Sequence, residues 1–314
     1  MPATRENRRG CFKVGCCGCL AALVLLVLGS SACVGVGLLL EGEPEMVRAD
    51  GRYDPPRAGF GSDRSAGQPG ELNPALLAAV GGTVTLDVGY VEMEIVPEAS
   101  GEPLRVTGDY DESAFRLEET FEEGADGWEY RLIFGRKHNW MPFFDTHSNR
   151  NHIVLHIPRD LIFRLEGKAG IGSYRMDLGG LAVRSVELDL GVGEHRIDFS
   201  EPLPVPLQTL RLDASIGELE LDNVGNGSPA EMWVKRSIGQ ATVDLRGAWR
   251  GDAEIDIRCG IGECLVLLPD DVNVDFRSSA VLGESSTRRE RPVIEGAPWL
   301  RGRVSGKIGS VEAR

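Results

Sequence analysis

A short pattern returns seven times in the second half of the chain: an aliphatic residue and a glycine, set between two alternating apolar runs. The copies read "AGIGSYRMDL", "LGVGEHRIDF", "ASIGELELD", "RSIGQATVDL", "CGIGECLVLLP", "AVLGESS" and "GKIGSVEAR". Aligned on that glycine they centre on Gly172, Gly193, Gly217, Gly239, Gly262, Gly283 and Gly309, at intervals of 21, 24, 22, 23, 21 and 26 residues. Repeats of this length mark stacked arrays in which each unit contacts its neighbours. The stretch "VTLDVGYVEMEIV", from Val84, matches "VELDLGVGEHRID", from Val186, nearly position for position. It reads as an eighth copy, with Val91 in the glycine position.

Within a copy the apolar residues alternate, which is the period of a strand. Tyr174, Met176 and Leu178 follow one glycine, and Leu219 and Leu221 follow another. Ala241, Val243 and Leu245, then Cys264, Val266 and Leu268, repeat the phase. Before the glycine, Leu188 with Leu190 and Ile257 with Cys259 take the same inward positions, and Asp, Glu, Arg and Lys fall between. Each copy is therefore a strand, a glycine corner and a second strand. Glycine suits the corner because it accepts positive φ and lets neighbouring rungs approach closely. The competing reading of "CGIGECLVLLP" is a phosphate loop. Such a loop occurs once, opens a helix and adds Lys followed by Ser or Thr, and none of this accompanies the copies. Long amphipathic helices are absent from the body; only "NPALLAAV", residues 73–80, offers two turns.

The body resembles the bacterial toastrack family, also labelled putative adhesin, whose relatives include LiaF-type envelope-stress proteins. The resemblance rests on "DVGYVEMEI", on "NHIVLHIP" followed by "LIFRLEGKAGIGSYRMDL", and on "IDIRCGIGECLVLLPDDVNVDF". It spans roughly residues 80–314. It implies an all-β, β-helix-like stack of strand–corner–strand rungs on a membrane anchor, with no catalytic residues to carry over.

Val14 to Leu40 runs 27 residues without a charge, more than the roughly 20 a helix needs to cross a bilayer. Arg8, Arg9 and Lys13 precede it and Glu41, Glu43 and Glu45 follow. Positive-inside bias then places residues 1–13 in the cytoplasm as a basic tail, 14–40 as one transmembrane helix, and the body outside the bacterial cytoplasmic membrane. A cleaved lipoprotein leader is the alternative, since "SSAC" precedes Val34. Ser30 stands where that box wants Leu, and the apolar run continues past the cysteine. Gly29, Cys33 and Gly37 line one helix face, a pattern compatible with helix pairing. Residues 41–71, rich in Pro, Gly and charge, read as a linker, and 72–314 as the extracytoplasmic domain.

The chain carries a net charge of -14, and the basic tail makes the remainder more acidic still. Nucleic acid is thereby excluded as a partner, because a phosphate-binding groove needs clustered Lys and Arg. Cys11, Cys16, Cys17, Cys19 and Cys33 lie in or beside the apolar run, leaving Cys259 and Cys264 in the body. These two flank one corner in the inward phase. A disulfide clasping the bend and two packed free thiols both fit, and geometry decides between them.

No other group announces chemistry. His152 and His156 share one phase of a strand near Asp145 and His147, but alternate strand positions are weak ligand spacing, so no metal is expected. His138 belongs to the same loop region, and His195 takes an inward slot, where a hydrogen-bonded core histidine is expected. The acidic run at 108–127 lacks calcium-loop spacing and reads as a solvated hairpin. Asp87, Asp189 and Asp213 share an outward position that Lys235 and Arg258 take in later copies, a mixed column more like surface charge pairing than a catalytic row. "RKHNWMPFFDTHSNRN", residues 136–151, places Trp140, Met141, Phe143 and Phe144 in a polar loop. These four residues either cap the open end of the stack or form a docking tip for a protein or the lipid surface. The expectation is a non-enzymatic, cofactor-free binding or sensing module with an envelope or membrane partner. A self-associating structural or adhesive protein is the second reading, and a carbohydrate-active β-helix enzyme the third.

Overall fold

The computed structural model describes residues 45–57, 81–125, 127–137, 151–287 and 292–314. The expected transmembrane helix and the aromatic loop at Trp140 lie outside these residues. Among the described residues no helix is long and apolar enough to cross a membrane.

The repeat copies are rungs of one continuous sheet. Five sequential copies form the bent strands β8 (Ile162–Asp177), β9 (Ala182–Asp198), β10 (Thr209–Asp222), β11 (Glu231–Asp244) and β12 (Ala253–Leu267), each parallel to the next. The predicted glycines fall on one line: Gly172 pairs with Gly193, Gly193 with Gly217, Gly217 with Gly239, and Gly239 with Gly262. The eighth copy divides into β2 (Gly82–Val88) and β3 (Val91–Glu98), and Val91 does stand opposite Gly172.

Beyond that rung, β6 (Gly127–Arg136) pairs with β2 and β7 (His152–Pro158) pairs with β3. Together they form a ninth rung, unmarked by the glycine motif. Antiparallel strands close this end: β4 (Leu104–Asp111) lies on β7, β5 (Phe115–Gly124) on β6, and β1 (Met46–Tyr53) on β4. β1 corrects the linker expected over 41–71. Its sequence "MVRADGRY" buries only Ala49, so an edge strand held by backbone pairing leaves no apolar period to read.

The opposite end departs from chain order. β14 (Trp299–Ala313) inserts between β12 and β13 (Asn273–Thr287), so the strand preceding it in sequence becomes the outer edge. The side chains explain the exchange. At three inward positions β14 carries Val304, Val311 and Ala313, whereas β13 carries Ser278, Ser285 and Thr287. The apolar strand is buried and the polar one terminates the stack, as a solenoid end requires. Phe276 of β13 seats over Gly302, where a Cβ would stand 2.7 Å from the ring.

The core fills the angle between the two arms. The predicted inward residues Tyr174, Met176, Leu219, Leu221, Val243 and Val266 are all buried. Across each corner a small residue often faces a large one: Ala169 with Tyr174, Arg236 with Ala241, Gly306 with Val311. A Cβ on Gly306 would meet the Val311 side chain at 2.5 Å.

Candidate functional site

The corner line is the feature the sequence repeats, and its geometry shows why. Six of its glycines, Gly193 to Gly309, have φ between +123° and +147°. A Cβ on Gly217 would lie 1.9 Å from the Gly193 carbonyl oxygen, and each later rung repeats the contact. Gly172 needs glycine by proximity alone, its Cβ position being 2.2 Å from the Val91 oxygen. The glycines are structural bends packed against the backbone of the neighbouring rung.

The residue before each glycine points the other way. Ile171, Val192, Ile216, Ile238, Ile261, Ile308 and Leu282 stand in register and are between 41% and 62% exposed. At about 4.8 Å per rung they form an aliphatic ridge about 29 Å long. The sequence reading places the aliphatic residue in the corner without assigning it a face, and so misses the ridge. The signal was available, since counting back by twos from the inward Leu219 lands on Gly217 and skips Ile216. Beside the ridge, on the second arm, stand Glu92, Ser173, Glu194, Glu218, Gln240, Glu263, Ser310 and Glu284 in consecutive rungs. Ile171, Gly172, Gly193 and Glu194 line part of the shallow groove between them, about 360 Å³ in volume, beside Tyr90.

Inside the corner, Cys259 and Cys264 form a disulfide with Cα atoms 6.4 Å apart. Arg236, one rung away opposite Cys259, is buried; its Nε donates to the Gln240 carbonyl at 3.4 Å, while neither Nη atom has a partner. Burial lowers its pKa, partly countered by Glu218.

His195 is 2% exposed and stacks on Tyr174 with ring centroids 5.5 Å apart. The inward slot is as expected, but the full hydrogen bonding is missing. Its ring nitrogens make no hydrogen bond of good geometry, and burial pushes the pKa down to about 4, with the Gly191 backbone a minor offset. His152 lies 3.7 Å from Glu94; His156 contacts Thr107 at 2.9 Å and Glu98 at 3.3 Å. Asp145, His147 and His138 fall outside the described residues. Among the described ones, no group of three His, Cys, Asp or Glu gathers into a metal set.

Outward acids and bases engage one another along the first arm. The predicted mixed column reads Asp87, Lys168, Asp189, Asp213, Lys235, Arg258 in register, with Lys235 donating to Asp213 at 2.8 Å. Asp256 accepts from Arg303 at 2.7 Å and Arg258 at 2.6 Å, hydrogen bonds that hold its carboxyl down at about 2. A shallow open groove of about 640 Å³ crosses this face, where Arg211 lies over the half-buried Trp233 at 4.6 Å. Of its acids, Asp256 serves as an ion-pair partner, to both Arg258 and Arg303.

These features define an all-β protein of stacked parallel rungs with one repeated, outward-facing corner. No family model and no curated protein matches the chain. Among solved structures, a putative cell adhesion protein from Clostridium sporogenes ATCC 15579 aligns over 86% of this chain and 99% of its own, at 12% identity and TM-score 0.43. A putative adhesin from Bacteroides fragilis NCTC 9343 aligns over 87% and 98%, at 9% identity and TM-score 0.34. Alignments this loose define neither a shared fold nor a shared role.

Proposed function

We propose that the chain is a non-enzymatic binding or sensing module of the toastrack type, anchored by residues 14–40 with its β domain outside the bacterial cytoplasmic membrane. The observation that carries the binding role is the register itself. Seven rungs repeat one outward profile without a break, so the surface is a long, rigid, periodic edge rather than an enclosed pocket. Polar groups on the neighbouring face are spent on one another, as at Asp256 with Arg258 and Arg303. The Cys259–Cys264 disulfide supports the location, because such bonds persist in oxidising compartments.

Self-association is the second reading, and β13 favours it: the edge strand leaves Val281 and Leu282 exposed and one side of its backbone unpaired by other described strands. In-cell crosslinking of the full-length chain with mass spectrometry separates the two. The comparison is a variant carrying Trp140→Ser, Met141→Ser, Phe143→Ser and Phe144→Ser. A distinct envelope partner is the expected result; its loss in a folded variant would assign docking to that loop, and its retention would leave docking to the corner edge. Crosslinks only between copies of the chain, unchanged in the variant, replace the binding reading with self-association.

A further inference from the structure

The aliphatic ridge is a large solvent-facing apolar feature, and such patches mark interaction surfaces when they are contiguous. The charges beside it decide what covers it. The row on its second-arm side contains five glutamates and no base. Among the described residues Glu194, Glu218 and Glu263 form no ion pair, although Glu194 and Glu218 stand on adjacent rungs. Like charges one rung apart repel, and this is offset only in part from within the chain, by the charge of Arg175 on Glu194 and of Arg236 on Glu218.

Three occupants compete for this edge. An anionic bilayer would meet the glutamate row head on. A second copy fares no better under either two-fold that apposes the ridges. An axis along the stack brings Glu194 toward Asp189 and Glu218 toward Asp213 of the other copy, with only Glu263 meeting a base, Arg258, and an axis across it sets the glutamate row against itself. A basic partner relieves the repulsion. The groove fits the same occupant: an aliphatic wall, a glycine floor free of side chains, and a carboxylate rim.

We propose that this edge docks a partner protein segment carrying an apolar stripe bordered by Lys or Arg. The inference rests on the binding-module reading and assigns it a surface. A helix of about 20 residues spans the ridge, and its 5.4 Å turn lies close to the rung spacing. Apolar side chains rest on the glycine floor against the aliphatic wall while the basic border reaches the glutamates.

The test uses the full-length chain in phosphatidylcholine nanodiscs, with a photoreactive residue in place of Ile238 or, as a control on the first arm, of Glu254. The probe is a 20-residue helical peptide with one leucine per turn and lysines along one border, set against its glutamate-bordered counterpart. Labelling of the lysine peptide from position 238 and not from 254 is expected. Both Ile216→Thr/Ile238→Thr/Ile261→Thr and Glu194→Gln/Glu218→Gln/Glu263→Gln should weaken binding at least tenfold, the second with no fall in melting temperature. Equal labelling by both peptides, labelling of lipid or a second copy, no labelling, or full binding by the glutamine variant overturns the proposal. A partner found in cells that survives the glutamine substitutions removes the ridge and leaves the binding reading in place.

Discussion

His195 occupies an inward row whose adjacent members are Tyr174 and Leu219. An imidazole there keeps the ring stacking of the row but loses water, and the charged form loses most. Burial therefore holds the pKa at about 4, below the ordinary 6.5. Between those values the unfolded chain binds the proton and the folded chain does not, so stability is fully present above pH 6.5 and is lost as pH falls toward 4. The full effect is about 3 kcal/mol. His195→Phe retains a stacking ring and has no proton to bind. Denaturant titrations of both proteins from pH 7 to pH 4 should show native stability falling relative to the variant across that window. Parallel curves would place the imidazole in a wetter setting than the stack provides.

At the scale of the element, the corner is the most demanding piece of the rung. A side chain on Gly217 meets two obstacles, a φ of +123° and a carbonyl oxygen 1.9 Å from the Cβ position. Gly217→Ala should cost about 3 kcal/mol or more. Gly251 has no neighbour within 4 Å of its Cβ position, and Gly251→Ala should change stability by no more than about 0.5 kcal/mol. Equal losses by denaturation would mean that the corner relaxes around a methyl group. This steric demand is also why the fold was legible in the sequence: one glycine per rung, with alternation on either side, gave the bend, the inward phase and the Val91 copy. The ninth rung was hidden because β6 and β7 lie on either side of residues 137–151 without the glycine motif. β1 was hidden because backbone pairing needs no apolar pattern. The candidate surface was half legible. Each glutamate and aliphatic residue is visible in its copy, but only the register turns them into a ridge with an acidic border.

Across the whole molecule, the two ends of the stack are finished differently. Antiparallel strands close the N-terminal end, whereas the other end depends on the exchange of β13 and β14. β13 has no direct seat on β12. Against β14, Phe276 fits over Gly302; against β12, the same position would face Ile255, with no glycine to receive the ring. Ending the chain after Pro298 should therefore release two strands by removing one. Hydrogen exchange on the full-length and shortened proteins reads this directly. Protection over 273–287 should vanish together with a loss of at least about 3 kcal/mol of stability, since Leu300 and Val304 are fully buried. Protection in β9 and β10 should persist, because each rung of a stack is held chiefly by its immediate neighbours. If 273–287 stayed protected, β13 would have docked on β12, and the polar residues Ser278, Ser285 and Thr287 would then suffice to end the stack at either depth.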